Sequence, residues 1–67
     1  MEREIIDALL NANFDKAEFD REFLKSAWSV IDSGVPLTEG QRSWLIQLLH
    51  KYKDQVPDIY RKYRNII

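Results

Sequence analysis

Cysteine is absent from the chain, which excludes a disulfide framework and any thiolate metal site. A chain without thiols suits a reducing compartment, and a cytoplasmic location is the expectation. Histidine occurs once, as His50, with no second ligand type clustered beside it at metal-binding spacing. The two glycines, Gly34 and Gly40, stand apart at segment boundaries, so no phosphate-cradling loop can be built from them. Apolar residues never run for more than three in succession, too short for a membrane span. The opening Met1-Glu2-Arg3-Glu4 likewise lacks the basic lead and apolar stretch of a signal peptide. Period-two alternation is missing too, which leaves β structure without a signal. Ser26, Ser29, Ser33 and Ser43 fall within or at the ends of helical patterns, with no glycine-flanked elbow, base or orienting acid. No catalytic residue, cofactor or metal is therefore expected, and the chain reads as a non-enzyme.

What is present is helical punctuation. Sixty-seven residues leave room for one small domain spanning 1–67, and a chain of that size buries only about 60% of its unfolded surface. Two Trp, three Phe and three Tyr are the expected compensation, as large side chains packed into the core. Ile5, Ile6, Leu9 and Leu10 recur at helical spacing over about residues 2–11, and Asn11-Ala12-Asn13 breaks the pattern. A second helix follows, with Asp15 and Glu18 predicted to cap it and Phe19, Phe23, Leu24, Ala27, Trp28 and Ile31 as its apolar stripe. Gly34 ends it, because glycine adopts the left-handed conformation without a Cβ clash, and Pro36 cannot prolong it. Thr38 and Gln41 have the spacing of a capping box for a third helix. On that helix Trp44, Leu45, Leu48, Leu49 and Tyr52 face the core, with a base-stacking platform of Trp28 and Trp44 as the alternative to their core placement, and Ile46 falls on the opposite side. Pro57 suits the first turn of a short fourth helix carrying Ile59, Tyr60 and Tyr63 on one side. The fold class is thus all-α: a small bundle of three helices plus a short C-terminal one.

Charge is unevenly placed along the chain. Residues 1–33 hold four basic and eight acidic side chains, whereas residues 34–67 hold six basic and three acidic ones. The halves differ in sign although the net charge is only −1. Asp15, Glu18, Asp20 and Glu22 read as a solvated, acidic helix face. Lys51, Lys53, Arg61, Lys62 and Arg64, interleaved with Tyr52, Tyr60 and Tyr63, have the composition of a phosphate-contacting surface. A pI near 5.7 opposes autonomous DNA binding, since phosphate neutralisation needs a basic footprint.

Phe23-Leu24-Lys25-Ser26, the Gly34 turn, Leu37-Thr38-Glu39-Gly40-Gln41 and Leu48-Leu49-His50-Lys51-Tyr52 together resemble a helix-turn-helix-like segment of phage and bacterial replication- or helicase-associated proteins. In such segments a Phe-Leu-x-Ser helix precedes a Leu-Thr/Ser-x-x-Gln helix that ends in Lys-Tyr. The resemblance covers about residues 20–55. It implies a phage-type accessory protein, working in the host cytoplasm near replication or repair machinery.

These readings converge on a small accessory or inhibitor protein that binds a protein of nucleic-acid metabolism, with direct DNA or RNA contact as the alternative. Ile46, Ile66 and Ile67 are the candidate apolar contacts for a protein partner. His50, Lys51, Lys53, Tyr60, Arg61, Lys62, Tyr63 and Arg64 are the candidate polar and basic ones.

Overall fold

The helical periodicities are realised as α1 (Glu2–Asn11), α2 (Glu18–Asp32), α3 (Glu39–Lys51) and α4 (Pro57–Tyr63) in a computed structural model that describes residues 1–66. There is no strand among the described residues, and none of the helices is long and apolar enough to cross a membrane. α1 packs against each of the other three helices. That central position accounts for Ile5, Ile6 and Leu9 losing all contact with solvent. Leu24 of α2 and Leu45 and Leu49 of α3 complete the fully buried set, so the centre of the core is aliphatic. Of the aromatic side chains expected there, Tyr63 is buried, whereas Phe14, Phe23, Trp28, Tyr52 and Tyr60 line the margin.

The helix ends show which local signals act. At the end of α2, Gly34 has φ of 87°, its N–H donates to the Ile31 carbonyl, and the Val35 N–H reaches back to Val30. This pair of bonds is a Schellman closure, and it satisfies carbonyls that the ending helix leaves unpaired. At the start of α3, Thr38 Oγ1 accepts from the Gln41 N–H at 3.1 Å and Gln41 Oε1 accepts from the Thr38 N–H at 2.9 Å. Both halves of the expected capping box are present. Pro57 occupies the first turn of α4, where its missing N–H costs no hydrogen bond.

The start of α2 departs from expectation. Its N-cap is Ala17 and no side chain caps it locally, because Asp15 lies two residues too early to reach the first-turn amides. A distant group serves there instead: the Ala17 N–H donates to Tyr52 Oη, 3.2 Å away at the end of α3.

Candidate functional site

Three of the basic side chains in the second half of the chain fold back onto acidic ones in the first half. Lys51 Nζ lies 2.7 Å from Asp20 Oδ2, Arg42 Nε 2.8 Å from Glu2, and Lys62 Nζ 2.8 Å from Glu4. Three of the six basic side chains of residues 34–67 are thus paired within the fold. Asp20, expected on a solvated face, is only 4% exposed. Its Oδ2 also accepts the Tyr52 hydroxyl at 2.6 Å, so Tyr52 links the α2 start, the carboxylate and α3. Burial pushes the Asp20 pKa up, but the hydrogen bonds from Lys51 and Tyr52 and the Lys51 charge outweigh it, and the carboxyl is held below its usual range. Lys51 is correspondingly raised by its bond to Asp20 against partial desolvation.

The same logic operates at the other end. The Glu4 carboxylate accepts from Lys62 and from the buried Tyr63 hydroxyl, and these two bonds lower its pKa. Tyr63 is raised, first by its bond to Glu4 and then by burial. Lys62 is raised through its bond to Glu4.

The candidate basic surface is thus divided. Lys51, Lys62 and Tyr63 are engaged internally, whereas Lys53, Arg61 and Arg64 remain exposed. Exposed His50 meets the half-buried Tyr60 edge-on, with ring centroids 5.3 Å apart, and Lys53 Nζ sits 5.7 Å from the Tyr60 ring centroid. Of the candidate apolar contacts, Ile46 is half-buried and Ile66 is 71% exposed beyond α4. Ile67 lies outside the described residues.

Among the described residues no group of three or more His, Asp or Glu side chains converges to hold a metal ion. A shallow cleft of about 380 Å³ lies between the start of α1 and the α2–α3 turn, lined by Met1, Ile31, Val35 and Leu37. Of the charged groups in its lining, Glu2 and Arg42 are paired with each other, and the Arg3 guanidinium lies over the Trp28 ring.

The most distinctive surface feature is aromatic and was expected in the core. Phe19 is 69% exposed and Trp44 38%, while Phe23 is half-buried between them and the core. The Trp44 ring stands 5.5 Å from Phe19 and 5.9 Å from Phe23, at interplanar angles of 62° and 54°. Such tilted and edge-to-face arrangements suit the quadrupoles of the rings. Trp28 is likewise not fully buried, and the Arg3 guanidinium lies 5.1 Å from its ring centroid.

The reason for the displacement is angular. The inward line of α2 runs through Asp20, Leu24 and Ala27. Phe19 precedes that line by one residue, about 100° around the helix, and is carried out to its edge. Glu18 and Glu22 immediately precede the two Phe residues and flank them on the solvent side, both exposed. On α3, the neighbours of Trp44 one turn away or adjacent, Gly40, Ser43 and Gln47, are exposed and uncharged. The resulting face is three contiguous rings with a carboxylate edge. No local signal in the sequence marked it: Asp20 takes the inward position because Lys51 and Tyr52 reach it from 31 and 32 residues away.

Comparison of the chain with family models, with curated proteins and with solved structures finds no match.

Proposed function

We propose that this chain is a small non-catalytic accessory or inhibitor module that docks onto a protein partner through Phe19, Phe23 and Trp44. The observation that carries this reading is the contiguity of three rings at the surface of a bundle whose centre is already closed by aliphatic side chains. Single exposed apolar residues are ordinary, but aromatic clusters are enriched where proteins meet. From exposures of 69% and 38%, Phe19 and Trp44 together leave roughly 200 Å² of aromatic surface in water. Covering it would contribute about 5 kcal/mol, comparable with the cost of association itself. The rings therefore serve as anchors, and the surrounding contacts decide affinity and specificity. That the partner belongs to nucleic-acid metabolism rests on the resemblance of residues 20–55 alone.

Direct DNA or RNA binding is the second reading, supported by the exposed Lys53, Arg61 and Arg64 around Tyr60. Its footprint is reduced by the internal engagement of Lys51 and Lys62. Immobilised wild-type protein, a Phe19→Ser variant and a Lys53→Glu/Arg61→Glu/Arg64→Glu variant distinguish the two in a lysate of the source cell. The bound species is identified and its binding reconstituted with purified components. A protein retained by the wild type and the charge variant but lost from Phe19→Ser is the expected result. Nucleic acid retained by Phe19→Ser and lost on charge reversal would overturn it.

A further inference from the structure

Resting on the docking role of this face, we infer that its occupant is a basic protein segment: bulky apolar side chains that seat on Phe19, Phe23 and Trp44, edged by Lys or Arg that meet Glu18 and Glu22. The inference comes from the charges around the rings. Glu18 and Glu22 flank the two Phe residues, and Asp15 lies just before the start of α2. Glu22 has one ion-pair partner among the described residues, Lys25 at 4.0 Å, with both side chains well exposed, and Arg21 lies two residues and about 200° around α2 from Phe19, away from the rings. Asp15 and Glu18 have no ion-pair partner among the described residues. The nearby Lys16 is directed elsewhere, donating to the Ala12 carbonyl at 3.1 Å with its Nζ 4.1 Å from the Phe14 ring centroid. Lys51 reaches the first turn of α2 from the end of α3, and its ammonium is engaged there by Asp20 at 2.7 Å.

An acidic edge on an aromatic face discriminates among occupants. Stacked nucleobases would bring phosphates toward Glu18 and Glu22, and like charges repel. An anionic lipid surface meets the same obstacle. A second copy paired symmetrically through this face would set the carboxylate edges of both copies around one small interface. A basic segment alone converts the edge from a penalty into a source of orientation and faster encounter.

The test titrates the full-length, isotopically labelled chain with two synthetic helical peptides while amide and indole resonances are followed. The peptides share Leu at positions i, i+3, i+4 and i+7 and carry either Lys or Glu on the flanks of that stripe. The Lys peptide should move the Trp44 indole and the Phe19 and Phe23 amides, and bind about tenfold or more tightly than the Glu peptide at low salt. Glu18→Lys/Glu22→Lys should reverse that preference, Glu18→Gln/Glu22→Gln should remove it, and Phe19→Ser should abolish binding with helicity retained. Equal binding of both peptides at Trp44, or a preference unmoved by the Glu18 and Glu22 variants, would overturn the basic occupant and leave protein docking standing. Failure of both peptides to move Trp44, movement of Trp44 by a single-stranded oligonucleotide instead, or movement with protein concentration alone would overturn both.

Discussion

Asp20 offers the most discriminating test of how the bundle is held together. Its Oδ2 accepts from the Tyr52 hydroxyl at 2.6 Å and from Lys51 at 2.7 Å, joining the first turn of α2 to the end of α3. Asp20→Ala removes both bonds and leaves the half-buried Tyr52 hydroxyl without its acceptor. The hydrogen bond to a charged acceptor contributes about 1.5–3 kcal/mol. The Lys51 pair adds little, roughly 0–1 kcal/mol, because the Lys51 side chain is 54% exposed. A loss of about 2–3 kcal/mol is therefore expected, against a total of roughly 3–10 kcal/mol for a chain of this length. The decisive measurement is a double-mutant cycle with Tyr52→Phe, followed by urea unfolding and far-ultraviolet circular dichroism. The two sites should couple by about 1.5 kcal/mol or more, whereas Lys51→Met should cost less than about 1 kcal/mol. Effects of Asp20→Ala and Tyr52→Phe that add within about 0.5 kcal/mol would refute the clamp.

Three further perturbations follow from the helix ends and the carboxylates. Thr38→Ala should cost about 0.5–2 kcal/mol by removing half of the capping box, and an unmoved urea midpoint at constant slope would count against it. Gly34→Ala should cost about 1–2 kcal/mol because φ is 87° there, whereas Gly40→Ala should stabilise by up to about 1 kcal/mol, its added Cβ meeting only Thr38 Oγ1 at 4.0 Å; equal midpoints for the two variants would contradict this. Asp20 and Glu4 both have folded pKa values below their unfolded ones, so the stability they contribute is complete above the ordinary carboxylate range, about pH 4, and disappears as pH falls through the folded values. Urea midpoints measured down to about pH 2 should show a shallower acid limb in Asp20→Ala and in Glu4→Gln than in the wild type.

The sequence and the structure agree wherever the deciding interaction spans a single turn. The Thr38–Gln41 box, the Gly34 closure and the Pro57 restart join residues within about five positions of each other, so composition and spacing suffice to place them. The aliphatic positions of α1 were equally legible, because a helix packed on three sides buries any broad apolar stripe. Asp15 failed as a cap for a geometric reason: a helix that begins three residues later finds its donor's partner in Tyr52, 35 positions away. Phe19 and Trp44 were placed in the core because helical spacing reports which residues share a face. It does not report where the covering helix ends.

Sequence alone determined the all-α class, the four segments and the punctuation at Gly34, Thr38–Gln41 and Pro57, since these follow from backbone hydrogen bonding within a few residues of each position. Tertiary structure decided which charges are used internally and which rings stay outside. The Asp20–Lys51 and Glu4–Lys62 pairs close over 31 and 58 residues, and the exposure of Phe19 and Trp44 depends on the edge along which α2 meets α3. Both are settled by the packing of helices against one another, and a carboxylate or an aromatic ring carries no local mark of what will be packed beside it.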